Sequence, residues 1–74
     1  MSADFVRLTV TDTAHGAPCI VSMPYRRELW DDVTEHDREQ LRVIARGRCG
    51  SWFRDEFGFR LSDSHLDALP VTAD

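Results

Sequence analysis

The chain is 74 residues long, 42% hydrophobic and 30% charged, with a formal net charge of −4. That length fits one domain, burying only about 60% of the surface its unfolded chain would expose. An apolar content this high with four Phe, two Trp and one Tyr excludes a wholly disordered chain, and the acidic balance argues against general nucleic-acid binding while favouring a basic partner surface.

Residues 4–11, DFVRLTVT, alternate: Val6, Leu8 and Val10 fall on one side, Arg7, Thr9 and Thr11 on the other, the pattern of a half-buried strand. The run from Asp12 to Pro18 is dense in turn formers. CIVSMPY after it favours extended structure again, with Val21 and Met23 inward. Together they predict an antiparallel hairpin, RLTV against IVSM, in which Pro24 ends the second strand or lies on an edge because it has no N–H to donate. Residues 25–33, YRRELWDDV, connect hairpin to helix as one helical turn or an ordered loop.

Thr34 to Gly58 is the spine. Thr34 is placed to cap a helix, and Glu35, Asp37 and Glu39 put negative charge where the helix dipole is positive. Leu41, Ile44, Ala45, Cys49 and Trp52 fall within one broad apolar face. Gly58 is suited to a left-handed C′ position, with Phe59 expected to fold back onto Phe53. Gly47 and Gly50 each cost roughly 1 kcal/mol in a helix interior, and Arg48 points into the expected apolar face, so a break is expected: helices over 35–47 and 51–57, Ser51 capping the second. Beyond Gly58, residues 59–61 read as a short third strand. Ser62 caps a terminal helix carrying Leu66 and Leu69, Pro70 stops it, and residues 71–74 are expected to fray.

The fold class expected is therefore α+β, an amino-terminal hairpin packed on a broken central helix with a short carboxy-terminal helix. No run approaches the roughly 20 apolar residues of a membrane span and no basic-then-apolar leader is present, so the expected location is cytoplasmic. Cys19 and Cys49 are then expected as buried free thiols. All nine basic residues are arginine, and neither Lys nor Asn occurs, as GC-rich coding would produce.

Candidate chemistry is sparse. His15, Cys19, His36, Cys49 and His65 contain no CxxC or HxxxH pair, whereas structural zinc sites bring ligands in close pairs, so neither metal nor cofactor is expected. No serine is singled out by a base and an orienting group, and adjacent acids such as Asp31-Asp32 point about 100° apart on a helix. Catalysis is not expected. Arg38, Arg42 and Arg46 form a ridge that could grip phosphates, or else a solvated flank with local pairs such as Glu35–Arg38 and Glu39–Arg42. The acidic chain favours the second reading.

The most informative surface cluster is Trp30, Asp31, Asp32, Glu35, Asp37 and Glu39, five acids in nine residues beside a large aromatic. Trp30 is either core or an interface anchor, and the carboxylates would meet arginines or lysines of a partner in place of nucleic-acid phosphates. A small, acidic, motif-free chain with a hairpin-plus-helix layout resembles the small anti-CRISPR and related anti-defence proteins of phages and mobile elements. The resemblance lies in size, charge and layout and carries no motif. It implies a non-catalytic, stoichiometric inhibitor that occupies the basic surface of a host defence complex, acting as a monomer or weak dimer. A small nucleic-acid-binding regulator using the arginine ridge is the alternative.

Overall fold

The computed structural model describes residues 4–73. In chain order it contains β1 (Phe5–Asp12), β2 (Ala17–Arg26), a 3₁₀ helix (Arg27–Asp32), α1 (Glu35–Phe57), α2 (Asp63–Asp67) and β3 (Val71–Ala73). The strands form an antiparallel sheet of order β2-β1-β3, with β1 in the centre. This is the expected α+β class. Sheet and helices make two layers, and the thin dimension of the molecule is 17 Å.

The hairpin follows from alternation. Val6, Leu8, Val10 and Asp12 of β1 and Cys19, Val21 and Met23 of β2 are buried, while Arg7, Ile20 and Ser22 face out. Leu8 stands opposite Val21 and Val10 opposite Cys19, so RLTV pairs with residues 19–22, one residue earlier than IVSM. Gly16 turns the corner at φ +67°, a conformation L side chains rarely adopt. Pro18 and Pro24 both lie on β2, an edge strand, where a missing N–H costs the sheet little.

The spine is one uninterrupted helix of 23 residues, not two segments. Thr34 caps it, its Oγ1 accepting from the Asp37 N–H at 3.2 Å, and Gly58 closes it in the left-handed region at φ +78°. The expected break is removed by the phase of the buried face. That face is Leu41, Ala45, Cys49 and Phe53, a stripe of four-residue spacing, whereas Ile44 and Trp52 are 46% and 38% exposed. With the stripe so placed, Arg48 lies on an exposed flank and there is no clash to relieve. Four-residue spacing slips about 40° per step around a straight helix, so the contact line winds toward α2, where Gly50 meets Leu66. A Cβ at Gly50 would stand 3.1 Å from Leu66 Cδ2, a contact that the end of the Leu66 side chain would have to relieve by shifting; Gly47 has open space beside it. Ser51 is an ordinary exposed mid-helix residue and caps nothing.

The carboxy-terminal third departs further from expectation. Residues 59–61 form no strand; Leu61 drops into the core at 6% exposure from an irregular segment. Phe59 stacks on Phe57, centroids 5.5 Å apart, and not on Phe53. Ser62 does cap α2, accepting from the His65 N–H at 3.2 Å, and Leu69 is buried just past its end. Residues 71–73 do not fray: they pair with β1, Val71 opposite Val10 and Ala73 opposite Leu8. Asp74 lies outside the described residues.

Candidate functional site

The amino-terminal end of α1 and the 3₁₀ helix before it carry all six residues singled out from the sequence. Arg27 enters the 3₁₀ helix with its N–H bonded to the Asp4 carbonyl at 2.6 Å, and the Val33 N–H closes it on the Trp30 carbonyl at 3.1 Å. Within that turn Asp31 and Asp32 are exposed, Asp31 with 98% of its side chain in solvent, and Leu29 is half-exposed beside them. Asp37 is also exposed, one turn into α1. No salt bridge joins Asp32 or Asp37 to a cation among the described residues. Asp31 has only Arg38, at 4.0 Å, a separation at which a solvent-exposed pair contributes little.

Trp30 is both packed and covered. It is half-buried against the hydrophobic core, and the Arg38 guanidinium lies over its ring at 5.0 Å from the centroid. Arg38 also donates to the Trp30 carbonyl at 2.7 Å. Trp30 therefore belongs to the joint between the 3₁₀ helix and α1 more than to an open anchor.

The arginine ridge is consumed by the fold. Arg42 donates to Glu35 at 2.8 Å and to Glu39 at 3.3 Å, and Arg46 donates from Nε to the Leu69 carbonyl at 3.0 Å. Glu35 thus pairs with Arg42, seven residues on, and not with Arg38. The hydrogen bond from Arg42, reinforced by its charge, holds the Glu35 carboxyl below its ordinary range. Glu35 and Glu39 are therefore partly neutralised members of the acidic face, and Asp31, Asp32 and Asp37 are its available charges.

A second constellation was invisible from spacing. Asp12, the last residue of β1, is fully buried, and its carboxylate is met by His15 Nδ1 at 2.7 Å (Oδ2), by His65 Nε2 at 3.3 Å (Oδ1) and by the Ala14 N–H at 3.1 Å (Oδ1). Burial pushes the Asp12 carboxyl up, but the hydrogen bonds from His15, His65 and Ala14 and the charge of a protonated His15 outweigh it and hold it below the ordinary carboxylate value. The His15 ring lies against Phe57 and Phe59, centroids 4.9 and 5.4 Å away. His36 is elsewhere, exposed on α1.

Cys19 and Cys49 are buried free thiols at the interface of β2 and α1, Cys49 Sγ donating to the Cys19 carbonyl at 3.8 Å. Burial and the neighbouring thiol raise the Cys49 pKa, which makes it a poor nucleophile and ligand. Between α1 and α2 runs an open groove of about 390 Å³ bordered by Gly47, Gly50, Arg54 and Arg60. No helix among the described residues is long and apolar enough to cross a membrane. Comparison with known proteins finds no matching family, curated protein or solved structure.

Proposed function

We propose that this protein is a non-catalytic binding protein whose acidic face, Asp31, Asp32 and Asp37 with Glu35 and Glu39 at its margin, docks on a basic, nucleic-acid-binding surface of a protein complex. The observation that supports this reading is the contrast between the two charge types on one end of the molecule. The ridge arginines, which would grip phosphate, are turned to Trp30, Glu35, Glu39 and Leu69 of their own chain. The aspartates, which can stand where phosphates stand, face solvent. Exposed charge of this kind steers association with an oppositely charged surface, and half-exposed Leu29 supplies apolar contact beside it. The resemblance in size, charge and layout to anti-defence inhibitors makes a bacterial defence complex of the CRISPR type, in a host cell cytoplasm, the first partner class to test.

The test is a DNA-binding competition. A purified CRISPR effector complex is mixed with labelled target DNA and one equivalent of this protein, and DNA binding is read by gel mobility. Loss of DNA binding is expected. The variant carrying Asp31→Asn, Asp32→Asn and Glu39→Gln together should relieve that inhibition while staying folded by circular dichroism. Undiminished inhibition by the folded triple variant would refute the acidic face. Salt-sensitive binding of oligonucleotide by the protein alone would favour the nucleic-acid regulator instead.

A further inference from the structure

We propose that Asp12, His15 and His65 form a binding site for a single borderline divalent cation of the zinc class. The three side chains offer one carboxylate oxygen and two imidazole nitrogens, all within 4.8 Å of one another. Two nitrogens and a carboxylate are a recurrent ligand set for zinc, in which three protein ligands leave a fourth position for water. Imidazole is a poor ligand for the hard cations magnesium and calcium, so the donor set itself selects.

The geometry is close to what such an ion needs. Ligand atoms about 2.0–2.1 Å from a tetrahedral ion stand about 3.3 Å from one another. His15 Nδ1 lies 2.7 Å from Oδ2 of Asp12 and His65 Nε2 lies 3.3 Å from Oδ1, so around an ion the first separation must open by about 0.6 Å and the wider separations in the trio must contract. On binding, each neutral ring places a lone pair on the nitrogen facing Asp12 and carries its proton on the other nitrogen. The support around the ligands is also present: the Ala14 N–H fixes one carboxylate oxygen, and Phe57 and Phe59 pack on the His15 ring.

The ion would fasten two distant pieces of chain. Asp12 ends β1 and His15 lies in the hairpin turn after it, while His65 lies on α2, 53 residues from Asp12. Sequence spacing could not show this, because the close pair is an Asp at a strand end and a His in the turn after it, and the third ligand comes from the far end of the chain.

The experiment uses tag-free full chain stripped with a chelator. Zinc chloride is titrated while binding is followed by calorimetry, native mass spectrometry and thermal melting, with magnesium chloride as the control. One zinc per chain is expected, with a rise in melting temperature of about 10–20 °C at a hundredfold excess over Kd and no response to magnesium. His15→Gln and His65→Gln should each weaken zinc binding at least tenfold, whereas His36→Gln should leave it unchanged. His15 is exposed, so its variant is expected to fold. Absence of bound zinc in the parent protein, or zinc retained by folded His15→Gln and His65→Gln proteins, would overturn the proposal and leave the trio as a hydrogen-bonded clasp.

Discussion

Asp12 and Asp31 are the same residue put to opposite uses. Asp12 has no exposed surface and is met by two histidines and a backbone N–H; Asp31 has 98% of its side chain in water and one cation at 4.0 Å. A buried carboxylate is costly unless partners surround it, so Asp12 constrains the positions of His15 and His65 and joins hairpin to α2. An exposed one constrains nothing and is available to a partner. Charge counted along the sequence cannot separate these roles, since both aspartates contribute equally to the net charge of −4.

The largest effect expected on folding lies between the two ends. Phe53 is fully buried, stacked on Phe57 at 5.6 Å and edge-on to Trp52 at 5.3 Å. Phe53→Ala should cost about 3–5 kcal/mol, enough to unfold much of so small a domain at 25 °C. Ile44→Ala, on the same helix but half-exposed, should cost under about 1 kcal/mol. Urea denaturation of the pair would test the phase of the buried stripe, and a larger loss at Ile44 would refute it.

Next in size is Asp12→Asn, which keeps shape but leaves one acceptor oxygen where there were two; a loss of about 1–3 kcal/mol is expected. Its pH signature is specific. Because the folded state holds the Asp12 carboxyl below its ordinary 3.8, the unfolded chain binds the proton first as pH falls. The contribution of Asp12 in chelator-treated protein is therefore complete above 3.8 and lost as pH drops below it. The parent should destabilise more steeply than Asp12→Asn in that range.

Local chemistry was legible where it is set by neighbouring residues: the alternation of β1 and β2, the caps at Thr34 and Ser62, the left-handed Gly58. What failed was set by distance. The stripe of α1 depends on which flank meets the sheet: Ile44 and Trp52 looked equivalent to Ala45 and Cys49, and Phe53 lay outside the expected face, until the sheet was in place. β3 was unreadable because three residues become a strand only when β1 offers a partner edge. The exposure of Asp31, Asp32, Glu35, Asp37 and Glu39 was legible because solvent is the default place for clustered acids. The Asp12 trio was not, because Asp12 reads as the first residue of a turn, and only the fold makes it the buried end of β1 and carries His65 to it.

A smaller effect separates the two helix glycines. Gly47→Ala meets open space and should stabilise α1 by about 0.5–1 kcal/mol through backbone entropy. Gly50→Ala should gain less, since its methyl must displace Leu66 Cδ2 from 3.1 Å. Thermal melts of the two variants measure the difference. A loss at Gly47 would show that α1 needs the flexibility of glycine where it passes the groove.

The smallest effect on folding should come from repeating the Asp12 substitution at the other end. Asp31→Asn with Asp32→Asn is the same chemistry performed twice, yet among the described residues their one ion pair, Asp31 to Arg38, is long and solvated. Arg38 keeps its bond to the Trp30 carbonyl and its place over the ring without Asp31. The melting temperature of the double variant should stay within about 3 °C of the parent, and any change should fade with added salt, because exposed charges are screened beyond about 8 Å at physiological ionic strength. A shift as large as that of Asp12→Asn, persisting in high salt, would mean that these aspartates hold the 3₁₀ helix in place and are not available to a partner. A negligible shift would mean that two exposed charges contribute almost nothing to the folding of the molecule, which is the condition under which they can be committed to binding.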